Sequence, residues 1–291
     1  MNNPHCIWQL GAILGEGPVW HAAERSFYFV DIKSRKLHRC NENGGDRASW
    51  LAPGEIGFAL PAPNGDLICG LPGKLARFTA SGNFETMIEI EAQHPGNRSN
   101  DGFIDAAGRL WFGTMDNTES APTGALYRLD ARGLQPMEAG IVITNGPCHS
   151  PDGKTFYHTD TLARVVYAYD CAADGTLAGK REFVRYAPDV SGYPDGSTVD
   201  SAGYLWIALF GGSRIERYAP DGSLAESIAM PCPNITKVAF GGDDLRTLLI
   251  TTARKGMDQA ALQAHPQAGG IFALRTKVPG LPQHTFRSTA S

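Results

Sequence analysis

The chain has 291 residues, 42% of them hydrophobic, and a formal net charge of −4 at pH 7. That length suits one large domain or two ordinary ones, and the apolar content is enough to form a sizeable core. Because the charge balance is slightly acidic, the sequence offers neither the basic surface that binds nucleic acid nor a polybasic patch for a membrane, and we expect neither partner.

Six hairpin signals follow one another along the chain, each a polar two-residue turn between short apolar segments. The first turn, Ala23–Glu24, separates Pro18–Trp20 from Phe27–Val30. The six turns end, in chain order, at Glu24, Gly65, Gly108, Gly153, Gly203 and Asp244. Successive turns are 41 to 50 residues apart, and most units add a third apolar segment such as Ala125–Arg128.

These six all-β units predict a six-bladed β-propeller, with four-stranded antiparallel blades around a central channel. A β-sandwich is the alternative, but the regular period argues against it. The N-terminal segment Ile7–Leu10 is expected to complete the last blade and so close the ring. The chain is then one propeller domain, residues 1–291, without a linker.

The position eight residues before each turn carries a carboxylate or a carboxamide in four of the six units. The six residues at this position are Glu16, Gly57, Asn100, Asn145, Asp195 and Thr236. In a propeller, equivalent positions of successive blades form a ring around the axis, so these side chains would meet at one mouth of the channel. The third unit is ambiguous by one residue, since alignment on its glycine selects Asp101 instead of Asn100.

Carboxylate and amide oxygens in such a ring are ligands for a hard or borderline divalent cation, with water completing the coordination. Any single Asn-Gly or Asp-Gly pair is more simply explained as a turn. Four polar residues in the same phase of the repeat favour a metal site instead. Structural zinc is not indicated, because the ring contains no Cys or His.

Several segments resemble the SMP-30/gluconolactonase/LRE-like family, and together they extend over almost the whole chain. Among them are Leu14–Trp20, Asn100–Gly102, Gly108–Met115, Asn145–Gly146, Pro194–Gly196, Phe240–Gly242 and Thr251–Arg254. Each segment alone is weakly specific, whereas the set is highly specific. The resemblance implies a sugar lactonase, most similar to bacterial aldonolactonases such as xylonolactonase.

The resemblance also implies which residues form the site. One divalent metal ion would be held by Glu16, Asn145 and Asp195, with substrate contacts from Arg98, Asn100 and Glu119. The xylonolactonase branch points to iron(II), and calcium, zinc and manganese also occur in the family. The substrate would be an aldono-lactone of the xylonolactone or gluconolactone type, opened to its aldonic acid.

A mechanism follows from this ligand chemistry. The cation would polarise the lactone carbonyl, Asp195 would take the proton of the attacking water, and Arg98 and Asn100 would orient the sugar hydroxyls. Two other functions stay open: hydrolysis of aryl esters or phosphotriesters at the same site, and a propeller that binds a metal or a partner without catalysis. A serine-hydrolase mechanism is not expected, because no Gly-x-Ser-x-Gly elbow occurs.

The first 17 residues lack the cationic and apolar regions of a secretion signal, which favours a cytoplasmic protein. The six cysteines are scattered without a CxxC pair and are expected to stay reduced. We expect His149 to be an interior histidine with satisfied hydrogen bonds rather than a ligand. The protein is expected to be a monomer or a weak dimer.

Overall fold

The computed structural model describes residues 3–287, which form six four-stranded antiparallel sheets, the blades of a six-bladed β-propeller. The predicted fold class is therefore confirmed. The first two and last four residues of the predicted domain 1–291 lie outside the described residues. No helix within residues 3–287 is long and apolar enough to cross a membrane.

In each of the first five blades, four consecutive strands run from the channel to the rim. Blade 1 contains β2 (Gly15–His21), β3 (Ser26–Asp31), β4 (Lys36–Cys40) and β5 (Ala48–Leu51), and blade 2 contains β6 (Phe58–Pro61), β7 (Leu67–Leu71), β8 (Lys74–Phe78) and β9 (Phe84–Glu89). Blade 3 contains β10 (Asn97–Ile104), β11 (Leu110–Asp116), β12 (Gly124–Asp130) and β13 (Gly133–Ile141). Blade 4 contains β14 (Thr144–His149), β15 (Thr155–Asp160), β16 (Val165–Cys171) and β17 (Leu177–Arg185), and blade 5 contains β18 (Tyr193–Val199), β19 (Leu205–Phe210), β20 (Arg214–Tyr218) and β21 (Leu224–Ala229).

Blade 6 joins the two ends of the chain. It contains β22 (Ile235–Gly241), β23 (Thr247–Thr252), β24 (Ile271–Arg275) and, as its outermost strand, β1 (His5–Trp8). The short helix α1 (Gln259–Ala264) lies between β23 and β24. Cys6 of β1 lies opposite Phe272 of β24. On the channel side, the Thr236 hydroxyl donates to the Gly15 carbonyl over 2.6 Å, which links blade 6 to blade 1.

The core lies between the blades, because successive side chains of a strand point to opposite faces. On β11, the Trp111 ring packs against Phe156 of blade 4, with 4.6 Å between ring centroids. The next residue, Phe112, packs against Phe58 of blade 2 at 5.9 Å. Both rings are fully buried. The strand β11 thus packs against both neighbouring blades, and such packing fixes the positions of the innermost strands.

A C-terminal strap, residues 277–287, runs along the ends of the innermost strands that lie opposite the polar ring. Its Gly280 N–H donates to the Leu245 carbonyl over 2.8 Å, and its Phe286 N–H donates to the Pro61 carbonyl over the same distance. The Phe286 ring is 3% exposed and belongs to the main hydrophobic core. The strap therefore ties blade 6 to blade 2 across the far face of the propeller.

The cysteines are reduced thiols, as expected: all six are free, and only Cys6 is not fully buried. His149 is an interior residue, 7% exposed, and packs edge-on against aromatic rings including Phe156. Its Nε2 atom, however, has no hydrogen-bond partner among the described residues. No protein atom of the described residues satisfies this nitrogen, because the neighbours of His149 are mainly aromatic.

Candidate active site

The predicted polar residues lie in β-bulges of the innermost strands. The strand register shifts between Glu16 and Val19, between Ser99 and Gly102, between Asn145 and Cys148, and between Pro194 and Ser197. A bulge breaks the alternation of a strand and redirects a side chain. The side chains are therefore turned out of the interface between blades and toward the channel.

At two of these bulges the backbone adopts a left-handed conformation that glycine permits. Gly17 and Gly146, which follow Glu16 and Asn145, have φ angles of +56° and +58°. Such left-handed conformations cost a residue with a Cβ about 1–2 kcal/mol, whereas glycine adopts them freely. The Gly that follows each polar residue is thus a geometric requirement of the bulge at these two positions.

All six predicted site residues line one cavity of about 280 Å³ at the mouth of the channel. They are Glu16, Arg98, Asn100, Glu119, Asn145 and Asp195. The structure also resolves the ambiguity in the third unit. Asn100 faces the cavity, whereas Asp101 is 1% exposed and lies deeper in the channel. Residues that are far apart in sequence thus meet in one small volume.

Two buried carboxylates face this cavity without a direct ion-pair partner. Glu16 and Asp195 are 4% and 7% exposed, and within residues 3–287 neither forms an ion pair with a Lys, Arg or His side chain. Burial, and after it the charge of Asp101, raise the pKa of Glu16 to about 8. Burial and then the charges of Glu16 and Asp101 raise the pKa of Asp195 well above its usual range. Both shifts mark a site that favours added positive charge.

Asn145 adds an amide oxygen to the cavity that the two carboxylates line. Its orientation is fixed, because its Nδ2 donates to the Thr161 hydroxyl over 2.9 Å and its Oδ1 accepts from Asn100 Nδ2 over 2.8 Å. An amide oxygen has two lone pairs, so one remains for a cation. Residues 3–287 hold no cluster of three or more His, Cys, Asp or Glu side chains arranged for a metal, so the oxygen donors that line the cavity here are two carboxylates and this amide. The all-oxygen set fits a hard or borderline divalent cation.

Arg98 is a buried cation at the edge of the cavity, 2% exposed. Its Nη1 donates to Asn100 Oδ1 over 2.6 Å, and its Nε donates to Asn117 Oδ1 over 3.0 Å. Asn117 also accepts from Lys33 Nζ over 2.8 Å, and Lys33 pairs with Glu55. This network holds the guanidinium plane in place, so Arg98 can present fixed donors to a ligand.

Glu119 forms an ion pair across the mouth of the cavity with Lys255. Glu119 follows β11 in blade 3, whereas Lys255 follows β23 in blade 6, and these blades are opposite one another in the ring. Glu119 has a φ of +59°, a conformation that is costly for a residue with a side chain. Both side chains are 31% exposed, so they form a polar rim that a ligand would meet on entry.

The remaining lining residues include an apolar group: Leu14, Met115, Ile143, Leu162, Tyr193 and Phe210. Leu162 and Tyr193 are 44% and 41% exposed, which is high for large apolar side chains. The guanidinium of Arg164 lies 4.5 Å from the centroid of the Tyr193 ring and supports it from outside. The mouth of the cavity therefore combines a polar rim with an apolar wall.

Sequence reasoning missed Lys255, Asn117 and Tyr193. The repeat could not reveal them, because Lys255 and Asn117 follow second strands of their blades and Tyr193 precedes the polar phase of blade 5. Lys255 had one usable signal, since it directly follows the family-like segment Thr251–Arg254. No such signal existed for Asn117 or Tyr193, because their contacts depend on which blades meet at the mouth of the cavity.

Residues 14–254 match the family model described as the SMP-30/Gluconolactonase/LRE-like region. Over 284 residues the chain is 36% identical to 6-deoxy-6-sulfogluconolactonase from Pseudomonas putida, and the match covers 97% of each chain. It is 37% identical to L-arabinolactonase from Azospirillum brasilense, over 95% of this chain and 93% of that one. The prediction of a hydrolase of cyclic esters agrees with these relatives.

The fold agrees with a solved structure of similar sequence. A calcium-binding protein, regucalcin, from Agrobacterium tumefaciens is 30% identical and superposes with a TM-score of 0.93, covering 97% of both chains. The family match includes all six predicted site residues. The chain therefore belongs to the SMP-30/Gluconolactonase/LRE-like family.

Proposed function

We propose that the protein is a metal-dependent sugar lactonase that opens an aldono-lactone, of the xylonolactone or gluconolactone type, to its aldonic acid. The observation that carries this proposal is a cavity with two buried carboxylates that lack an ion-pair partner, beside a fixed Arg98 and Asn100. At about 280 Å³ the cavity is slightly smaller than the roughly 300–1,000 Å³ of drug-sized sites. That volume suits a single sugar ring rather than an oligosaccharide.

Glu16, Asn145 and Asp195 would hold the divalent cation. When bound there, a divalent cation supplies Lewis-acid polarisation of the lactone carbonyl. Iron(II) is one candidate, and the description of the regucalcin structure as calcium-binding supports calcium equally. The oxygen donor set is compatible with both and with manganese, so the metal has to be measured.

Asp195 acts as the general base in this proposal. Its carboxylate accepts no hydrogen bond from residues 3–287, so one oxygen can serve the cation while the other accepts a proton from water. As that proton leaves, the water oxygen bonds to the lactone carbonyl carbon. The bond from this carbon to the ring oxygen then breaks, and the ring oxygen takes the proton held by Asp195 to become a hydroxyl, which restores the carboxylate. The product is the open-chain aldonic acid.

Arg98, Asn100 and Glu119 orient the substrate. Arg98 donates to sugar hydroxyls from a fixed plane, and Glu119 on the rim accepts hydrogen bonds from them. The Tyr193 ring would pack against the C–H face of the sugar ring. Fixing the lactone before attack lowers the entropy cost of bringing it to the water.

The decisive experiment measures acid release by chelated protein before and after addition of Ca²⁺, Mn²⁺, Fe²⁺ or Zn²⁺. The substrates are xylonolactone, gluconolactone and arabinonolactone, with paraoxon and phenyl acetate as contrasts, and spontaneous lactone hydrolysis is subtracted. The proposal expects no lactone opening after chelation and recovery with one cation. Full activity in metal-free protein, or turnover of the aryl substrates alone, would overturn it.

A further inference from the structure

A buried lysine crosses the channel beneath the candidate metal ligands. Lys237 lies on β22 of blade 6, and its Nζ donates to Asp101 Oδ1 on β10 of the opposite blade 3. The two residues are 6% and 1% exposed. Burying an ion pair costs desolvation energy that the attraction alone often fails to recover, so such a pair is weak evidence for a stabilising role. The position of the pair suggests a role other than stabilisation.

Asp101 is tied to the backbone next to two site residues. Its Oδ1 accepts from the Gly102 N–H over 2.7 Å, and its Oδ2 accepts from the Gly146 N–H over 2.9 Å. Gly146 directly follows Asn145 in blade 4, and Asp101 itself directly follows Asn100 in blade 3. The Asp101 carboxylate therefore fixes the distance between the two bulges that present Asn100 and Asn145.

Lys237 reaches Asp101 by lying against a third bulge. A Cβ added to Gly196 would lie 2.5 Å from both the Cβ and the Cγ of Lys237, so only glycine leaves room for this side chain. Gly196 directly follows Asp195. The Lys237–Asp101 pair thus contacts the strands that carry Asn100, Asn145 and Asp195.

When ionised, the four groups Glu16, Asp195, Asp101 and Lys237 have a net charge of −2, which one divalent cation would balance, whereas the charge of Arg98 is paired with Glu55 at 3.8 Å. Glu16, Asp195 and Asp101 supply three negative charges, and Lys237 supplies one positive charge. We propose that Lys237 is the fixed counter-ion of the metal site. Its ammonium sets the charge that an incoming cation meets, and its pairing with Asp101 positions Asn100 and Asn145. This inference rests on the metal site of the proposed function. Lys237 is a positioning residue, because it lies outside the cavity lining.

The test is titration of chelated protein with Mn²⁺, comparing the parent with Lys237→Met, Asp101→Asn and the double variant. Lys237→Met leaves one negative charge unbalanced, so Mn²⁺ should bind at least about tenfold more tightly. Asp101→Asn leaves the ammonium unbalanced, so Mn²⁺ should bind at least about tenfold more weakly. In the double variant both charges are gone, and the affinity should return to within about threefold of the parent.

Lys180→Met is the matched control, because Lys180 pairs with Glu138 on the outer strands of blades 4 and 3, away from the channel. It should leave Mn²⁺ affinity unchanged. A purely structural pair would weaken binding in both single variants, together with a lower Tm, and that result would overturn the inference. Unchanged affinity in both single variants would also overturn it.

Circular dichroism establishes that each variant is folded. If either single variant does not fold, the test uses the near-isosteric double variant and the charge-conserving Lys237→Arg. Both proteins must retain near-parental Mn²⁺ affinity. Loss of affinity in the folded double variant would overturn the inference. Lactone opening by the parent is assayed separately. A parent that shows the opposite-sign pattern but opens no lactone supports the counter-ion and overturns the proposed function alone.

Discussion

Asp195 combines burial with free acceptor oxygens, and this combination makes Asp195→Asn the sharpest single change. The amide keeps the shape and one oxygen donor but cannot take a proton from water. We expect kcat for the aldono-lactone to fall by about 10²–10⁴, the usual range for loss of a general base. Steady-state acid release under saturating metal measures this effect.

Asp221→Asn is the control for that change, since Asp221 is an exposed turn residue of blade 5 that accepts from Ser223. It should retain parental kcat. A folded Asp195→Asn protein with kcat within threefold of the parent would exclude Asp195 as the base.

Arg98 determines selectivity if its donors bind sugar hydroxyls. Arg98→Ala should raise KM for gluconolactone far more than KM for δ-valerolactone, which has no hydroxyl groups to bind. Asn117→Ala should give a smaller effect in the same direction, because it frees the guanidinium without removing it. KM values for both lactones in the three proteins measure the difference. Equal losses on the two lactones would assign Arg98 a structural role.

At the scale of the element, the bulge after Asn145 predicts that replacing its glycine lowers both stability and metal affinity. Gly146→Ala forces a Cβ into the left-handed conformation, 2.8 Å from the Ser197 hydroxyl. We expect the free energy of unfolding to fall by at least about 2 kcal/mol, with weaker Mn²⁺ binding because Asn145 shifts. Gly153 is the matched control: its φ is +69°, and nothing lies within 4 Å of an added Cβ.

Gly153→Ala should therefore cost only the left-handed backbone, about 1 kcal/mol, and leave Mn²⁺ affinity unchanged. Urea unfolding and Mn²⁺ titration of the two variants separate these effects. If both alanine variants lose stability equally and bind Mn²⁺ like the parent, the bulge does not position Asn145.

The repeat in the sequence predicted the propeller and placed Glu16, Asn100, Asn145 and Asp195 in one phase, since a ring converts a period along the chain into a circle of neighbours. It did not predict the bulges. A bulge changes the pairing of two strands by one residue, and turn spacing is too coarse to reveal this. The ambiguity between Asn100 and Asp101 arose for that reason.

Contacts across the channel were beyond sequence reasoning for a different reason. Lys237 follows Thr236, one of the two residues at the repeat position that have no carboxylate or amide, so the repeat gave it no role. Its partner Asp101 is 136 residues away along the chain. The predicted six-bladed ring places blades 3 and 6 opposite one another, but it does not show which side chains are long enough and suitably directed to meet across the channel.

For the whole molecule, three buried histidines predict sensitivity to acid. Burial lowers the pKa values of His38, His149 and His158 to about 4, below the ordinary value of about 6.5. The folded state therefore binds fewer protons than the unfolded chain between these values. Stability is fully present above about pH 6.5 and is lost as the pH falls toward 4, at about 1.4 kcal/mol per pH unit for each histidine.

His158 is the best position to test this, because it is 1% exposed and neither ring nitrogen has a partner among the described residues. His158→Phe should lose less stability than the parent between pH 6.5 and 4.5. Urea unfolding at several pH values measures the difference between the two proteins, in which the other titrating groups cancel. Parallel stability curves would show that His158 is not protonated on acid unfolding.

The pairing of β1 with β24 has a consequence for synthesis of the chain. The ribosome makes β1 first and β24 last, so the N-terminal strand stays without its partner until almost all of the chain has been translated. Blades 1 to 5 can form in order as they emerge, whereas blade 6 has to wait until β24 has been made. An unpaired strand edge invites pairing with other chains, and at four residues β1 offers only a short one. Messages truncated before β24 would therefore yield open rings that are prone to aggregate rather than shorter propellers.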